Sequence, residues 1–441
     1  MAKRSKKWAK SMMLAGFVAA TTFSLNTGVF AKELPTQPTS YRTVTEIEDW
    51  GATVTKVIVD LGRPVPQGSI TTDTFKVNVE RYDKRLTNPF LGGGDRIVTN
   101  AYVSNKDGNP AVEMGKYAVL EMKIAPNDSL GAALNYDFRV TGFNDWVDNK
   151  YTITQQKNIN TSAGAVSGLV VDTFAGGTRV LVDDFNTGSA TYDNTTLTYA
   201  DFTPAKDNHK NPLIIWLHGG GEGGTDATIP ISANKADSFA SKETQYYFDG
   251  AYVLAPQALT FWMDGFTGRA DGTSKYENAL MSLIKDYVAN NKDIDPSRIY
   301  VGGDSNGGYM TMLLTRDYPE YFAAAFPTCE GLRDSLISNA DIQKMKQTPT
   351  WFTAAKTDTT LPPALNTVPT FNRLVQAGAT NVHLSLFDDV HDTSGLYKNA
   401  DGTPYVYNGH WSWIYVYNNI PTDTINGKTT TILDWLAAQS K

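Results

Sequence analysis

Near residue 160 the chain changes rhythm, and that change limits the possible folds more than any other feature. Beyond it, apolar runs alternate with amphipathic segments: Leu213–Leu217, Ala251–Leu254, the helical stretch Tyr276–Ala289, Ile299–Val301, Phe322–Phe326, Thr350–Ala354, the helical stretch Val368–Ala377, Val382–Phe387 and a closing helix Thr430–Gln439. Continuous apolar strands between amphipathic helices predict a mostly parallel sheet covered on both faces. Arg179–Asp183 and Thr196–Thr203 read as antiparallel strands leading into it. Before the change there is no helical periodicity. Short β-type runs such as Val54–Leu61, Thr74–Glu80, Arg96–Val103, Tyr117–Ile124, Tyr136–Val140 and Tyr151–Thr154 are separated by turn residues. That spacing predicts an all-β sandwich, immunoglobulin-like by strand count. Lys157–Gly168, rich in Asn, Thr, Ser, Ala and Gly, reads as the linker. The expected domains are a β-sandwich over 32–165 and an α/β domain over 166–441.

Residues 1–31 have the layout of a secretory signal. Lys3, Arg4, Lys6, Lys7 and Lys10 precede an apolar run from Met12 to Leu25, and Val29-Phe30-Ala31 supplies a cleavage site. The run is short for a membrane span and holds Thr and Ser. The expectation is a secreted, extracellular protein with no membrane association once the signal is removed. The formal charge of −7 is mild and not gathered into runs, which argues against nucleic-acid or polyanion partners. The single cysteine, Cys329, excludes an internal disulfide, so stability must come from packing. Cys329 lies in an apolar run and reads as a buried small hydrophobe.

Gly303-Asp304-Ser305-Asn306-Gly307 is a G-x-S-x-G pentapeptide. The pattern alone is weak; its setting strengthens it. Ile299-Tyr300-Val301 reads as a strand and Tyr309–Thr315 as a helix, so Ser305 sits on the turn between them, where its hydroxyl is lifted above the sheet edge. Upstream, His218-Gly219-Gly220-Gly221-Glu222-Gly223-Gly224 follows the strand Leu213–Leu217. A glycine run of this kind can turn backbone amides toward a developing oxyanion. The candidate donors are Gly220 and Gly221 together with Asn306, the residue after the serine. The run lacks the Lys-Ser/Thr end of a phosphate-binding loop.

A serine nucleophile in this fold needs an acid and then a histidine downstream. Of the five histidines, His209 and His218 precede Ser305 and His383 lies inside a strand, which leaves His391 and His410. Asp358, a few residues past the strand Thr350–Ala354, is the acid candidate, ahead of Asp388 and Asp389. Trp411, in an insertion also rich in tyrosine (Tyr397, Tyr405 and Tyr407), is a candidate wall of a substrate pocket, and Trp262, past the strand Ala251–Leu254, is a candidate for another wall.

These marks, together with Asp358–Pro363 and Gly409-His410-Trp411-Ser412-Trp413, give roughly residues 170–441 a resemblance to secreted α/β-hydrolase esterases. The nearest kinds are polyhydroxybutyrate-depolymerase-like and feruloyl-esterase-like enzymes, with kinship to prolyl-oligopeptidase-type serine hydrolases. Some members carry an N-terminal immunoglobulin-like domain. The resemblance implies a Ser-His-Asp esterase with an acyl-enzyme intermediate, no metal and no organic cofactor. Two positions depart from the pattern. Ala354-Ala355 stand where the family usually has His-Gly, and the family's histidine lies just past the last strand, the position of His391. Spacing thus favours His391 and the local motif favours His410; the motif is given precedence, with His391 as the alternative base. Export points to substrates outside the cell, esters on plant polysaccharides, phenolic esters or polyesters. The competing readings are a prolyl-oligopeptidase-type peptidase and a non-catalytic carbohydrate- or surface-binding protein.

Overall fold

The computed structural model describes residues 39–264 and 270–441. The expected signal segment lies outside the described residues. Two architectures succeed one another along the chain. The first is a sandwich of two β-sheets. One sheet orders its strands as Phe174–Arg179, Tyr41–Glu48, Gly51–Pro66, Met114–Met122 and Val98–Ser104; the other as Val170–Val171, Asp148–Gln155, Phe75–Tyr82 and Phe90–Arg96. Alternation drives the packing: in Phe75–Tyr82 every second residue, Phe75, Val77, Val79 and Arg81, is buried while Lys76 and Glu80 face solvent. This is the immunoglobulin-like β domain anticipated from the strand count.

The second is an α/β-hydrolase fold. Its eight-stranded sheet runs in the order Asn186–Tyr192, Thr195–Phe202, Tyr252–Gln257, Asn211–Leu217, Ile294–Asp304, Ala324–Thr328, Thr350–Ala355 and Val382–Phe387. The first two strands pair antiparallel with their neighbours and the rest run parallel. Asn211–Leu217 is buried throughout. Ile214 and Trp216 enter the core on one face, and Leu213, Ile215 and Leu217 the core on the other. A strand covered on both sides needs no polar alternation, which is why it reads as a continuous apolar run.

Three expectations change. Lys157–Gly168 is not an open linker: Ile159–Thr161 and Gly164–Val166 form a hairpin, with Ile159 and Val166 buried in the sandwich. Arg179–Asp183 is not an entry strand of the second sheet: Arg179 ends the strand Phe174–Arg179, which runs parallel to Tyr41–Glu48 in the β domain, and Val182–Asp184 is a 3-10 turn. That role falls to Asn186–Tyr192, a polar edge strand whose sequence carries little apolar signal. Tyr136–Val140 is half strand and half turn: Leu134–Asp137 pairs with Phe143–Trp146 in a hairpin that leans toward the second domain.

The core of the sandwich is continuous with one face of the hydrolase sheet, so Val57, Val77 and Tyr151 belong to the same buried cluster as Trp216, Phe239 and Tyr417. Polar links reinforce it. The Lys235 ammonium meets Asp49 at 2.6 Å, Asn418 donates to the same carboxylate, the Trp146 indole N–H donates to Thr228, and Trp50 meets Tyr397 edge to face.

Candidate active site

The site forms where the parallel strands end, the edge at which open α/β sheets bind ligands. Asp304 closes the strand Ile294–Asp304, and the helix Asn306–Asp317 starts immediately after Ser305. The turn between them is sharp: Ser305 has φ 55° and ψ −112°, a conformation that a side-chain-bearing residue adopts only when its surroundings enforce it. Its amide is held by the Thr328 carbonyl at 3.0 Å. The glycines of the pentapeptide make room for this turn. A Cβ at Gly303 would lie 2.5 Å from the Leu217 carbonyl oxygen, and one at Gly307 only 1.8 Å from the same atom. The motif is therefore a packing requirement, with the helix start pressed against the neighbouring strand.

His410 Nε2 lies 2.9 Å from Ser305 Oγ, and His410 Nδ1 lies 2.8 Å from Asp358 Oδ2. The other Asp358 oxygen accepts the amides of Thr360 and Leu361 at 2.8 and 2.9 Å, which fixes the carboxylate in the turn. Asp358 and His410 are both buried. Asp358 can therefore orient the imidazole with Nδ1 protonated and Nε2 free to accept the serine proton. The long segment before His410 folds back on itself through bridges His391–Val406 and Lys398–Pro404. Gly409 then lets the chain press against the Asp358 loop, where a Cβ would meet Thr357 backbone at 2.5 Å.

His391 is occupied elsewhere. Its Nδ1 lies 2.6 Å from Asp389, and its amide donates to the Tyr415 hydroxyl. Of the two histidines the sequence left open, His410 is the one hydrogen-bonded to Ser305. Asp388 pairs with Lys356. His383 lies between Asp423 and Asn381.

The glycine run makes a 3-10 turn over Gly220–Glu222. His218 braces it: Nε2 accepts the Ala258 amide at 3.1 Å, so Nδ1 carries the proton and donates to the Gly219 carbonyl at 2.6 Å. Burial pushes this imidazole down to about 4, and it stays neutral. Asn306 opens its helix, so its amide is among the first-turn donors without an intrahelical acceptor. Its side-chain oxygen accepts the Trp262 amide at 2.6 Å.

Trp262 is not a substrate wall. It is fully buried, its ring tilted against that of His218 at 4.9 Å, and its indole N–H donates to the His218 carbonyl. The indole's single donor needs a partner once buried, and this one keys the glycine run to the serine turn. Trp411 does line the cleft beside Ser305. That cleft has a volume of about 340 Å³ and also touches Trp50, Tyr136, Asn144 and Trp413. Trp50, Tyr136 and Asn144 come from the β domain, so the site is shared between domains. Nothing in the local sequence around those three residues marks them, because they reach the site only through domain packing.

Two further carboxyls lie beneath the site. Glu222 and Asp304 are buried, and both come within 3 Å of the point where a Gly219 Cβ would sit. Burial raises each above the ordinary carboxylate range, and the nearby Asp304 adds to the rise at Glu222. Cys329 is buried with its thiol pushed up by burial, which suits packing rather than nucleophilic chemistry. Among the described residues, no group of three or more His, Cys, Asp or Glu side chains is arranged to hold a metal ion. No helix among them is long and apolar enough to cross a membrane.

Comparison with known proteins agrees with this architecture. Residues 40–168 match the family model of the esterase Ig-like N-terminal domain, and residues 279–332 match that of the prolyl oligopeptidase family. A poly(3-hydroxybutyrate) depolymerase of Ralstonia pickettii is 31% identical over 126 residues, 27% of this chain and 25% of that protein. Feruloyl esterase B of Neurospora crassa is 29% identical over 126 residues, 28% of this chain and 40% of that protein. The chain thus spans less than half the length of these relatives. The crystal structure of a thermostable esterase superposes with a TM-score of 0.74 at 24% identity, covering 91% of this chain and all of that one. It extends the likeness in fold across both domains. The resemblance to depolymerase-like and feruloyl-esterase-like proteins, with an immunoglobulin-like domain in front, is borne out.

Proposed function

We propose that the protein is a secreted serine hydrolase that cleaves carboxylic esters through an acyl-enzyme intermediate. The observation that carries this reading is the continuous hydrogen-bonded line from Asp358 through His410 to the strained Ser305. As Ser305 Oγ attacks the ester carbonyl, its proton passes to His410 Nε2, and Asp358 stabilises the imidazolium. The amides of Gly220 or Gly221 and of Asn306 receive the oxyanion. Collapse of the tetrahedral adduct expels the alcohol, protonated by His410. A water molecule then repeats the sequence in reverse roles and releases the acid. The export-type opening of the sequence supports an extracellular site of action. The names of the relatives, a polyhydroxybutyrate depolymerase and a feruloyl esterase, support polymeric or phenolic esters as the substrate class.

A panel of p-nitrophenyl esters, methyl ferulate, acetylated xylan and polyester film tests the class, with Ser305→Ala as control. Hydrolysis abolished by Ser305→Ala is expected; no hydrolysis of any ester would overturn the reading. The match of residues 279–332 to a peptidase family motivates one rival. Turnover of a peptidyl p-nitroanilide above that of every ester would favour it.

A further inference from the structure

The glycine run of the hydrolase domain is held by a residue of the other domain. Asn144, on the strand Phe143–Trp146, donates its side-chain amide to the Gly221 carbonyl and to Glu222 Oε1, both at 3.1 Å. The Gly221 carbonyl can only accept, so the NH2 end of the amide faces it. The fit is close: a Cβ at Gly221 would lie 3.0 Å from Asn144 Nδ2 and 3.1 Å from the Tyr136 ring, and one at Gly223 would lie 2.8 Å from the Phe143 ring. Phe143 also meets Phe261 at 5.6 Å. The hairpin of the β domain thus presses on the turn that carries the Gly220 and Gly221 amides. Glu222 Oε2 has no hydrogen-bond partner among the described residues. Asn144 is the side-chain donor that the structure gives this carboxyl.

We infer that Asn144 is a positioning residue for the oxyanion-binding turn, so that the β domain completes the reaction centre. The inference rests on the esterase reading above. Donation to the Gly221 carbonyl fixes the peptide plane that follows Gly221, and with it the direction in which the turn presents its amides. Preorganised donors act on the transition state, so their misalignment lowers turnover more than substrate binding.

The test compares Asn144→Ala, Asn144→Asp and Trp146→Phe in the full chain on p-nitrophenyl acetate, with Ser305→Ala as the control for the reading itself. Asn144→Ala is expected to lose roughly 10- to 100-fold in kcat with KM changed by less than about threefold, the scale of an ångström of misplacement. Asn144→Asp keeps the shape but sets an acceptor against the Gly221 carbonyl, which can only accept. The titratable groups around it are Glu222, Asp304 behind it and the Tyr136 phenol, while Asp145 is turned to Arg85. The activity of Asn144→Asp relative to wild type is expected to rise as pH falls from 8 to 5, because the introduced carboxyl can donate once it is protonated. Trp146→Phe removes a hydrogen bond from the same hairpin, the one to Thr228, and should keep kcat within about twofold.

Wild-type kcat in Asn144→Ala would overturn the inference, as would a flat pH ratio for Asn144→Asp or an equal loss in Trp146→Phe. If Asn144→Ala does not fold, the pH ratio of the isosteric variant decides. Activity surviving in Ser305→Ala would instead overturn the esterase reading.

Discussion

Glu330 shows how one buried group can tie the stability of the fold to pH. It follows Cys329 just beyond the strand Ala324–Thr328, fully buried, with Oε2 accepting the Leu332 amide at 2.7 Å and its backbone carbonyl accepting from Asn366. Burial pushes its carboxyl up to about 8. Because the folded value lies above the unfolded one of 4.5, its contribution to stability is complete below about pH 4.5 and is lost as pH rises through 8. Glu330→Gln keeps the acceptor for Leu332 and removes the titration. The thermal midpoint of the variant minus that of the wild type should therefore rise between pH 5 and 9; a difference that stays constant would refute this. Legibility at this scale is uneven. Ser305, Asp358 and His410 carry short-range motifs and can be named from the chain alone. Trp262 reads as a wall, because an aromatic after a strand looks the same in sequence whether it faces a cleft or caps a buried turn. Asn144 carries no signal, since its partners lie 77 and 78 residues away.

At the scale of elements, glycine positions record where two segments touch. Gly307 is set by the Leu217 carbonyl and Gly409 by Thr357. The second contact explains how a histidine delayed by a long insertion still reaches the serine: the loop returns and stacks Tyr407, Trp411 and Trp413 in succession, with Trp413 against the His410 ring. Gly409→Ala should displace His410 while leaving the sheet intact. We expect kcat to fall by about 100-fold with a change in thermal midpoint of only a few degrees, measured on an activated ester and by circular dichroism. Unchanged kcat would show that the contact has no bearing on the histidine. Strands buried on both faces are legible as apolar runs. The edge strands Asn186–Tyr192 and Phe174–Arg179 are not, because an exposed strand is specified by its neighbour and not by its own hydrophobicity.

The whole molecule is organised around a shared core. One buried cluster runs from the sandwich into the hydrolase sheet, and the pocket beside Ser305 has walls from both domains. Heat should therefore unfold both domains in one transition, with near-ultraviolet and far-ultraviolet signals coincident. Two resolved transitions would mean that the domains are energetically separate. Two domains and their order along the chain are visible as a change of rhythm; how they meet is not, because no local pattern encodes an interface formed by residues from distant segments.

The central claim, that Ser305 is activated by His410 rather than by the histidine nearest the last strand, is tested most directly by kcat on p-nitrophenyl acetate for His410→Ala and His391→Ala. The hydrogen bonds at Ser305 and Asp389 predict a loss of roughly 1,000-fold or more for His410→Ala and less than about threefold for His391→Ala. The reverse order of losses would contradict the account.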